Sequence, residues 1–284
     1  MGIDVYQIVT DRILEQLDKG IVPWRKTWNG NDLPMNYVTR KYYRGINRIL
    51  LPLPGEYLSF KQCKDLGGHV RKGEKGHIIA FYKPMEVEDK DTNEKKMIPF
   101  LKYSTVFHLS QTEGIQSKLE QEQDIDTDPI AEAEAIIAGY INRSGITVNH
   151  VSGSDSAYYQ PSTDTATLPV IKQFNNPEAY YGVAFHEYSH STGHKYRLNR
   201  ITDNAAFGSE NYSKEELVAE ISSCMIMNIA GLEIPETFEN SCSYIARWSK
   251  RVKEDRKLIV QASSKAQLSA DMILGVNGGD ESSE

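Results

Sequence analysis

With 284 residues, 39% of them hydrophobic and 25% charged, the chain can bury a sizeable core and excludes a disordered or fibrous class. Three scattered cysteines, Cys63, Cys224 and Cys242, lack the spacing of a disulfide framework or a thiolate zinc site. The net charge of −7 is uneven: residues 1–110 hold 18 Lys and Arg against 13 Asp and Glu, and the acidic excess lies in the remainder, so a polyanionic partner would meet the first part. Neither a long apolar run nor a basic-then-apolar leader is seen, so a cytoplasmic location is expected.

Val5, Ile8, Val9, Ile13, Leu14 and Leu17 recur at helical spacing and predict a first helix over residues 4–19, ending at Gly20. Pro23, Trp24 and Trp28 follow, then a polar loop over 29–32 and an aromatic, basic stretch from Tyr37 to Arg48. Ser59 to Leu66 reads as a short helix stopped by Gly67 and Gly68, and Val70 opens a strand. Ile78 to Tyr82 and Met97 to Leu109 read as strands around an exposed, charged hairpin loop from Glu86 to Lys96. These elements make a small α+β domain over residues 1–112, and the polar, acidic residues 113–128 suit a linker.

Pro129 opens a helix to about Asn142. Strands at Ile146–His150, Ala157–Gln160 and Thr165–Leu168 precede helical segments at 177–192, 213–230, 237–260 and 263–273. Residues 129–274 thus form a second domain with a mostly helical C-terminal part, and 275–284 a disordered tail; the fold class is α+β.

His186, Glu187, Tyr188, Ser189 and His190 have the form H-E-x-x-H inside the 177–192 segment. Two histidines four apart project from one helix face, so both can bind one Zn²⁺, at about 2.0–2.1 Å, and Glu187 can reach a water at the metal as general base. The alternative is a pair of surface histidines on an amphipathic helix. A catalytic zinc needs a third protein ligand. Gly193 stands where metzincins place a glycine, but Tyr196 occupies the position of their third histidine, which excludes a standard metzincin site. Ser213 to Glu216 has the form of a capping box starting a helix.

The run Glu216 to Glu220, E-x-x-A-E, resembles the E-x-x-A-D helix of gluzincin peptidases. That resemblance implies Glu216 as the third ligand and Glu220 as the carboxylate that fixes a ligand imidazole, with Glu220 as the substitute ligand. Without it, the same acids are an exposed helix N-terminus meeting the macrodipole. His194 would compete as a ligand if the helix passed Gly193, where a break is expected. Tyr196 and Tyr212 are either oxyanion donors or packing residues, and Ala157 to Leu168 could offer an edge strand to an extended peptide.

In the first domain, Trp24, Arg25, Lys26 and Trp28, then Tyr37, Arg40, Lys41, Tyr42, Tyr43, Arg44 and Arg48, interleave rings with cations. Unpaired bases stack on rings while Lys and Arg track phosphates, so the pattern suits single-stranded nucleic acid; it equally suits tryptophans anchoring a small domain with cations at its rim. The run G-x-x-P-W-R-K-x-W, Tyr43 to Asn47, Ser59 to Gln62, Leu66 to Gly68 and Val70 to Gly76 is similar to the N-terminal domain of ArdC-type antirestriction proteins. Thr192, Gly193, Arg197, Leu198, Asn199 and Glu215 to Glu220 extend that resemblance through the second half. It implies a single-stranded-DNA-binding domain joined to a zincin-like zinc metallopeptidase domain with a protein substrate, protecting mobile DNA from host restriction. By the same resemblance Trp24, Arg25, Lys26, Trp28, Tyr43, Arg44, Arg71, Lys72 and Lys75 are DNA-contact residues. A DNA-binding protein with a structural or inactive zinc site, and a general metallopeptidase, are the alternatives.

Overall fold

The computed structural model describes residues 4–19, 21–24, 33–88, 95–119, 129–154, 156–201, 210–233 and 242–276. Helix α1 (Val5–Asp18) is capped by Asp4, whose carboxylate accepts from the Gln7 amide at 3.3 Å, and its stripe of Val5, Val9, Ile13 and Leu17 is buried. Strand β1 (Met35–Asn36), the short helix α2 (Ile46–Leu50) and β2 (Glu56–Ser59) follow, none of them legible as periodic patterns. Helix α3 (Phe60–Asp65) begins at a capping box in which the Ser59 hydroxyl and the Gln62 side chain each accept from the other's amide.

Strands β3 (His69–Val70), β4 (His77–Glu88), β5 (Lys95–His108) and β6 (Thr112–Glu113) complete the first unit, whose main sheet has the order β1-β2-β5-β4. The hairpin runs deeper than expected, because pairing continues to Glu88↔Lys95; residues 86–88 and 95–96 are strand, and only 89–94, outside the described residues, remain of the proposed loop. One sheet face, with Tyr57, Ile79 and Val106, is buried against Tyr43 and Leu51.

Residues 113–119, expected as linker, pack back onto this unit. The cause is a buried acid: Glu56, ion-paired with Arg40, also accepts from the Ser117 hydroxyl at 2.7 Å and the Lys118 amide at 3.1 Å. The rest of that proposed linker, 120–128, and the tail residues 277–284 lie outside the described residues.

The second unit comprises α4 (Pro129–Ser144), β7 (Thr147–Val151), β8 (Tyr158–Gln160), β9 (Thr165–Pro169), α5 (Pro177–Thr192), α6 (Glu210–Ile229), α7 (Cys242–Glu254) and α8 (Leu258–Leu274). Its sheet has the order β7-β9-β8, with β7 and β9 parallel and β8 an antiparallel edge. Helix α6 begins at Glu210, so Ser213 sits inside the helix rather than at its N-cap. The break between α7 and α8 falls at 255–257, earlier than the pattern indicated.

The fold is α+β, yet its two units share one core. Val9 and Ile13 of α1, Trp24, and Ile46 and Ile49 of α2 belong to the same buried cluster as Phe185, Ile221, Trp248 and Ile259. Polar contacts reinforce the joint: Arg44 pairs with Asp271, and the Gly45 amide donates to Gln267 Oε1 at 3.0 Å. Among the described residues no helix is long and apolar enough to cross a membrane.

Candidate metal centre

Local signals set α5. The Asn176 side chain accepts from the Ala179 amide at 2.8 Å, Pro177 occupies the first turn, and the helix stops at Gly193. A Cβ at Gly193 would lie 2.8 Å from Ile201 Cγ1 and 3.0 Å from the His190 carbonyl, so only glycine lets the following loop fold back here. His194 therefore falls beyond the helix; it is buried and neither lines the cleft nor joins the ligand cluster.

Hydroxyls fasten α5 to its neighbours. Thr192 Oγ1 bonds Ser269 Oγ of α8 at 2.8 Å, Ser222 of α6 meets the same Ser269 at 3.1 Å, and Ser223 donates to the Gly182 carbonyl at 2.9 Å. Small side chains allow the helices to approach, and the hydroxyls are satisfied across the contact. The result fixes α5 against the α6 face that carries Glu216.

His186 Nε2 and His190 Nε2 lie 3.1 Å apart, and the Glu216 oxygens stand 3.6 Å from the first and 3.4 Å from the second. One atom from each of the three falls within 4.8 Å of the others. Two nitrogens held about 2.0–2.1 Å from a tetrahedral ion would be roughly 3.3 Å apart, so this donor set fits one divalent cation with a position left open.

The second imidazole has a supporting pair that sequence reasoning missed. Glu215 Oε1 lies 3.7 Å from His190 Nδ1, and Arg200 grips Glu215 with hydrogen bonds of 2.8 and 3.2 Å while donating to Thr192 Oγ1 and the Ser189 carbonyl. Glu220, expected in that role, instead accepts from the Trp24 indole at 3.0 Å, and His186 Nδ1 is buried without a hydrogen-bond partner among the described residues. Glu220 lies one turn past Glu216 on α6.

Electrostatics agree with a cation site. Burial alone would lower the His190 pKa, but Glu215 and Glu216 outweigh it and push it up to about 10. Burial opposes charge on Glu216 and Glu215 too; the two imidazoles hold Glu216 well below the usual carboxylate range, and His190 with Arg200 lowers Glu215. Acids that retain a proton on His190 so firmly would equally favour a cation in its place.

His186, His190 and Glu216 line a cleft of about 560 Å³ together with Glu187, Tyr158, Tyr159, Lys214 and Lys265. Glu187 is buried there beside His186. Tyr196, 81% exposed, is not among the lining residues. The β8 wall is held by Arg197, which pairs with Asp164, donates to the Ser191 carbonyl at 2.7 Å and reaches the Tyr159 hydroxyl at 3.2 Å.

Burial raises the Asp164 pKa, but Arg197 and Tyr159 outweigh it and leave it below its ordinary value. A depressed carboxylate contributes stability that is complete above its unfolded pKa of about 3.9 and is lost as pH falls through the folded value. Asp164→Asn is therefore expected to lower the urea midpoint at pH 7, with the deficit shrinking below about pH 4. An equal deficit at both pH values would contradict the pairing.

Several residues expected to touch DNA are interior. Trp24, 4% exposed, packs edge-on against Trp248 at 6.2 Å, and Tyr43, 7% exposed, packs edge-on against Tyr57 at 6.1 Å. Arg44 is the partner of Asp271. Trp24 fills the shared core and Arg44 ties the two units together, whereas Tyr43 belongs to the first unit's own buried cluster. Arg71, Lys72 and Lys75 are exposed on the turn between β3 and β4. Arg25, Lys26 and Trp28 lie outside the described residues.

Residues 3–107 match the N-terminal domain of anti-restriction factor ArdC, and residues 131–265 match a zincin-like metallopeptidase family. The crystal structures of antirestriction ArdC protein from plasmid R388, metal-free and Mn(II)-bound, are 34% identical, with TM-scores of 0.75 and 0.76. They cover 95% and 96% of this chain and 97% and 98% of their own. The uncharacterized protein y4eC of Sinorhizobium fredii (strain NBRC 101917 / NGR234) is 32% identical over 95% of this chain and 91% of its own length. Two DNA primase TraC proteins of Escherichia coli are 34% and 35% identical over 95% of this chain, which spans only 20% and 27% of their lengths. The chain belongs to the ArdC family of antirestriction proteins, with an ArdC-type N-terminal domain ahead of a zincin-like metallopeptidase domain.

Proposed function

We propose that the chain is a zinc-dependent peptidase joined to a single-stranded-DNA-binding domain, acting to protect mobile DNA on entry to a host. The observation that carries the enzymatic half is the convergence of His186, His190 and Glu216 beside a buried Glu187, in a cleft walled by the edge strand β8. An edge strand can pair with an extended peptide backbone, which would lay a scissile amide across the cleft.

His186, His190 and Glu216 would hold the ion. A bound zinc supplies Lewis acidity and a water whose pKa is near about 7. Glu187 takes a proton from the attacking water and returns it to the leaving amine, and the buried position of its carboxylate keeps bulk water from competing. The Mn(II)-bound R388 relative supports a divalent cation; two imidazoles and one carboxylate favour zinc over manganese in intrinsic affinity.

Zinc-loaded protein incubated with unfolded protein substrates, with and without single-stranded DNA, should release new N-termini. Glu187→Gln should keep the metal and lose at least about 100-fold in rate. No cleavage by the zinc-loaded wild type under either condition would sink the peptidase reading and leave a DNA-binding protein with a structural metal.

A further inference from the structure

The second face of the first unit's sheet departs from what a solvent-facing surface requires. Side chains alternate along a strand, so Leu101, Tyr103, Thr105 and Phe107 of β5 share the face opposite Val106. At one end this face is closed, since Leu101 and its neighbour Ala80 lie in the shared core with α1. At the other, α3 buries Leu58 with Cys63. Between these covers Tyr103 is 37% exposed, and Phe60, at the start of α3, is 61% exposed with its ring 6.4 Å from that of Phe107.

Gly76 passes close over this strip. A Cβ there would stand 2.2 Å from Thr105 Cγ2 and 3.0 Å from the Phe107 ring, so a side chain would displace Thr105 and press on the aromatic. The elements that adjoin Phe60 and Gly76 in the chain carry exposed cations: Lys61 and Lys64 on α3, and Lys72 and Lys75 on the turn leading to β4. None of the four has an ion pair or hydrogen bond from its side chain among the described residues. The acids nearby are largely engaged: Glu74 pairs with Arg71 and accepts from Gln111, and Glu113 meets His69 at 3.2 Å; Asp65 is exposed.

We infer that the strip of Tyr103, Phe107 and Phe60, flanked by Lys61 and Lys75, is the stacking surface on which this protein receives the unpaired bases of single-stranded DNA. This rests on the DNA-binding reading above and replaces the buried Trp24 and Tyr43 as its aromatic contacts. Exposed rings beside exposed lysines match a polyanion whose bases are accessible, because bases stack on rings while ammonium groups displace counterions from phosphates. A duplex offers the phosphates without the base faces, so the strip predicts a preference for single strands.

The test is fluorescence anisotropy of the full chain with a labelled oligothymidylate, across a salt series. Phe60→Ala is expected to weaken binding about tenfold with the salt slope unchanged, and Phe60→Trp to retain it. Lys61→Ala with Lys75→Ala should reduce the slope by roughly 0.7 per lysine. Phe60 is mostly exposed, so its unfolding midpoint should match the wild type, and Tyr103→Ala gives an independent reading. Wild-type binding undiminished in Phe60→Ala and Tyr103→Ala would overturn this surface while leaving the DNA-binding reading intact. Absence of wild-type binding would overturn that reading itself, and equal affinity for duplex would reduce the strip to a phosphate contact.

Discussion

Glu216→Ala is expected to lower divalent-metal affinity by well over about 100-fold with little change in the fold, since loss of a supporting group alone costs about 10–100-fold and this change removes a donor. The carboxylate is partly exposed and faces the cleft, while its neighbours Leu217, Val218 and Ile221 keep α6 in the core. Removing it leaves two imidazoles, too few for a tightly held ion. Glu215→Ala should fall within the smaller range, because His190 keeps its Nε2 donor but loses the group that orients the ring. Calorimetric titration with zinc separates the two. A larger loss in Glu220→Ala than in Glu216→Ala would reverse the ligand assignment.

Trp24→Ala should be the most damaging change to stability, costing about 3–5 kcal/mol, the usual range for truncating a buried tryptophan. The ring fills the joint between the two units and meets Trp248 edge-on. Its indole also donates to the buried Glu220 carboxylate. Trp24→Phe keeps much of the packing and should show the hydrogen bond's share, about 1–3 kcal/mol, because it deprives a buried acid of a donor. Urea unfolding at pH 7 reads both. An unchanged midpoint combined with weakened DNA binding would instead return Trp24 to the surface role that its neighbourhood in the sequence indicated.

The parts of this site legible from sequence are those encoded locally. Asn176, Pro177 and Gly193 lie within or beside α5 and set its limits, and two histidines four apart on any helix share a face. Glu216 was legible only through a motif borrowed from other peptidases. The Arg200–Glu215 pair bridges residues with no periodic relation, and the loop that joins them to His190 exists only once Gly193 turns the chain.

The first unit was less legible for a different reason. A ring beside a cation reads the same whether it lies in a core or on a surface; only packing against α6 and α7 separates Trp24 from Phe60. Strand β2 was missed because it carries a buried acid: Glu56 is tolerated there only with donors from Arg40 and residues 117–118. Phe60 lies within the stretch that carries the family resemblance, but nothing in the sequence sets it, Tyr103 or Phe107 apart as surface rings, because each sits in a segment whose pattern already accounts for an apolar residue.

The account stands on a single cation held between α5 and α6. Anomalous diffraction from crystals of zinc-loaded protein, collected on both sides of the zinc edge, tests this most directly. The expected result is one peak about 2.0–2.2 Å from His186 Nε2, His190 Nε2 and a Glu216 oxygen, with Glu187 beside its open position. A peak coordinated by Glu220 or His194, or none in the cleft, would contradict it.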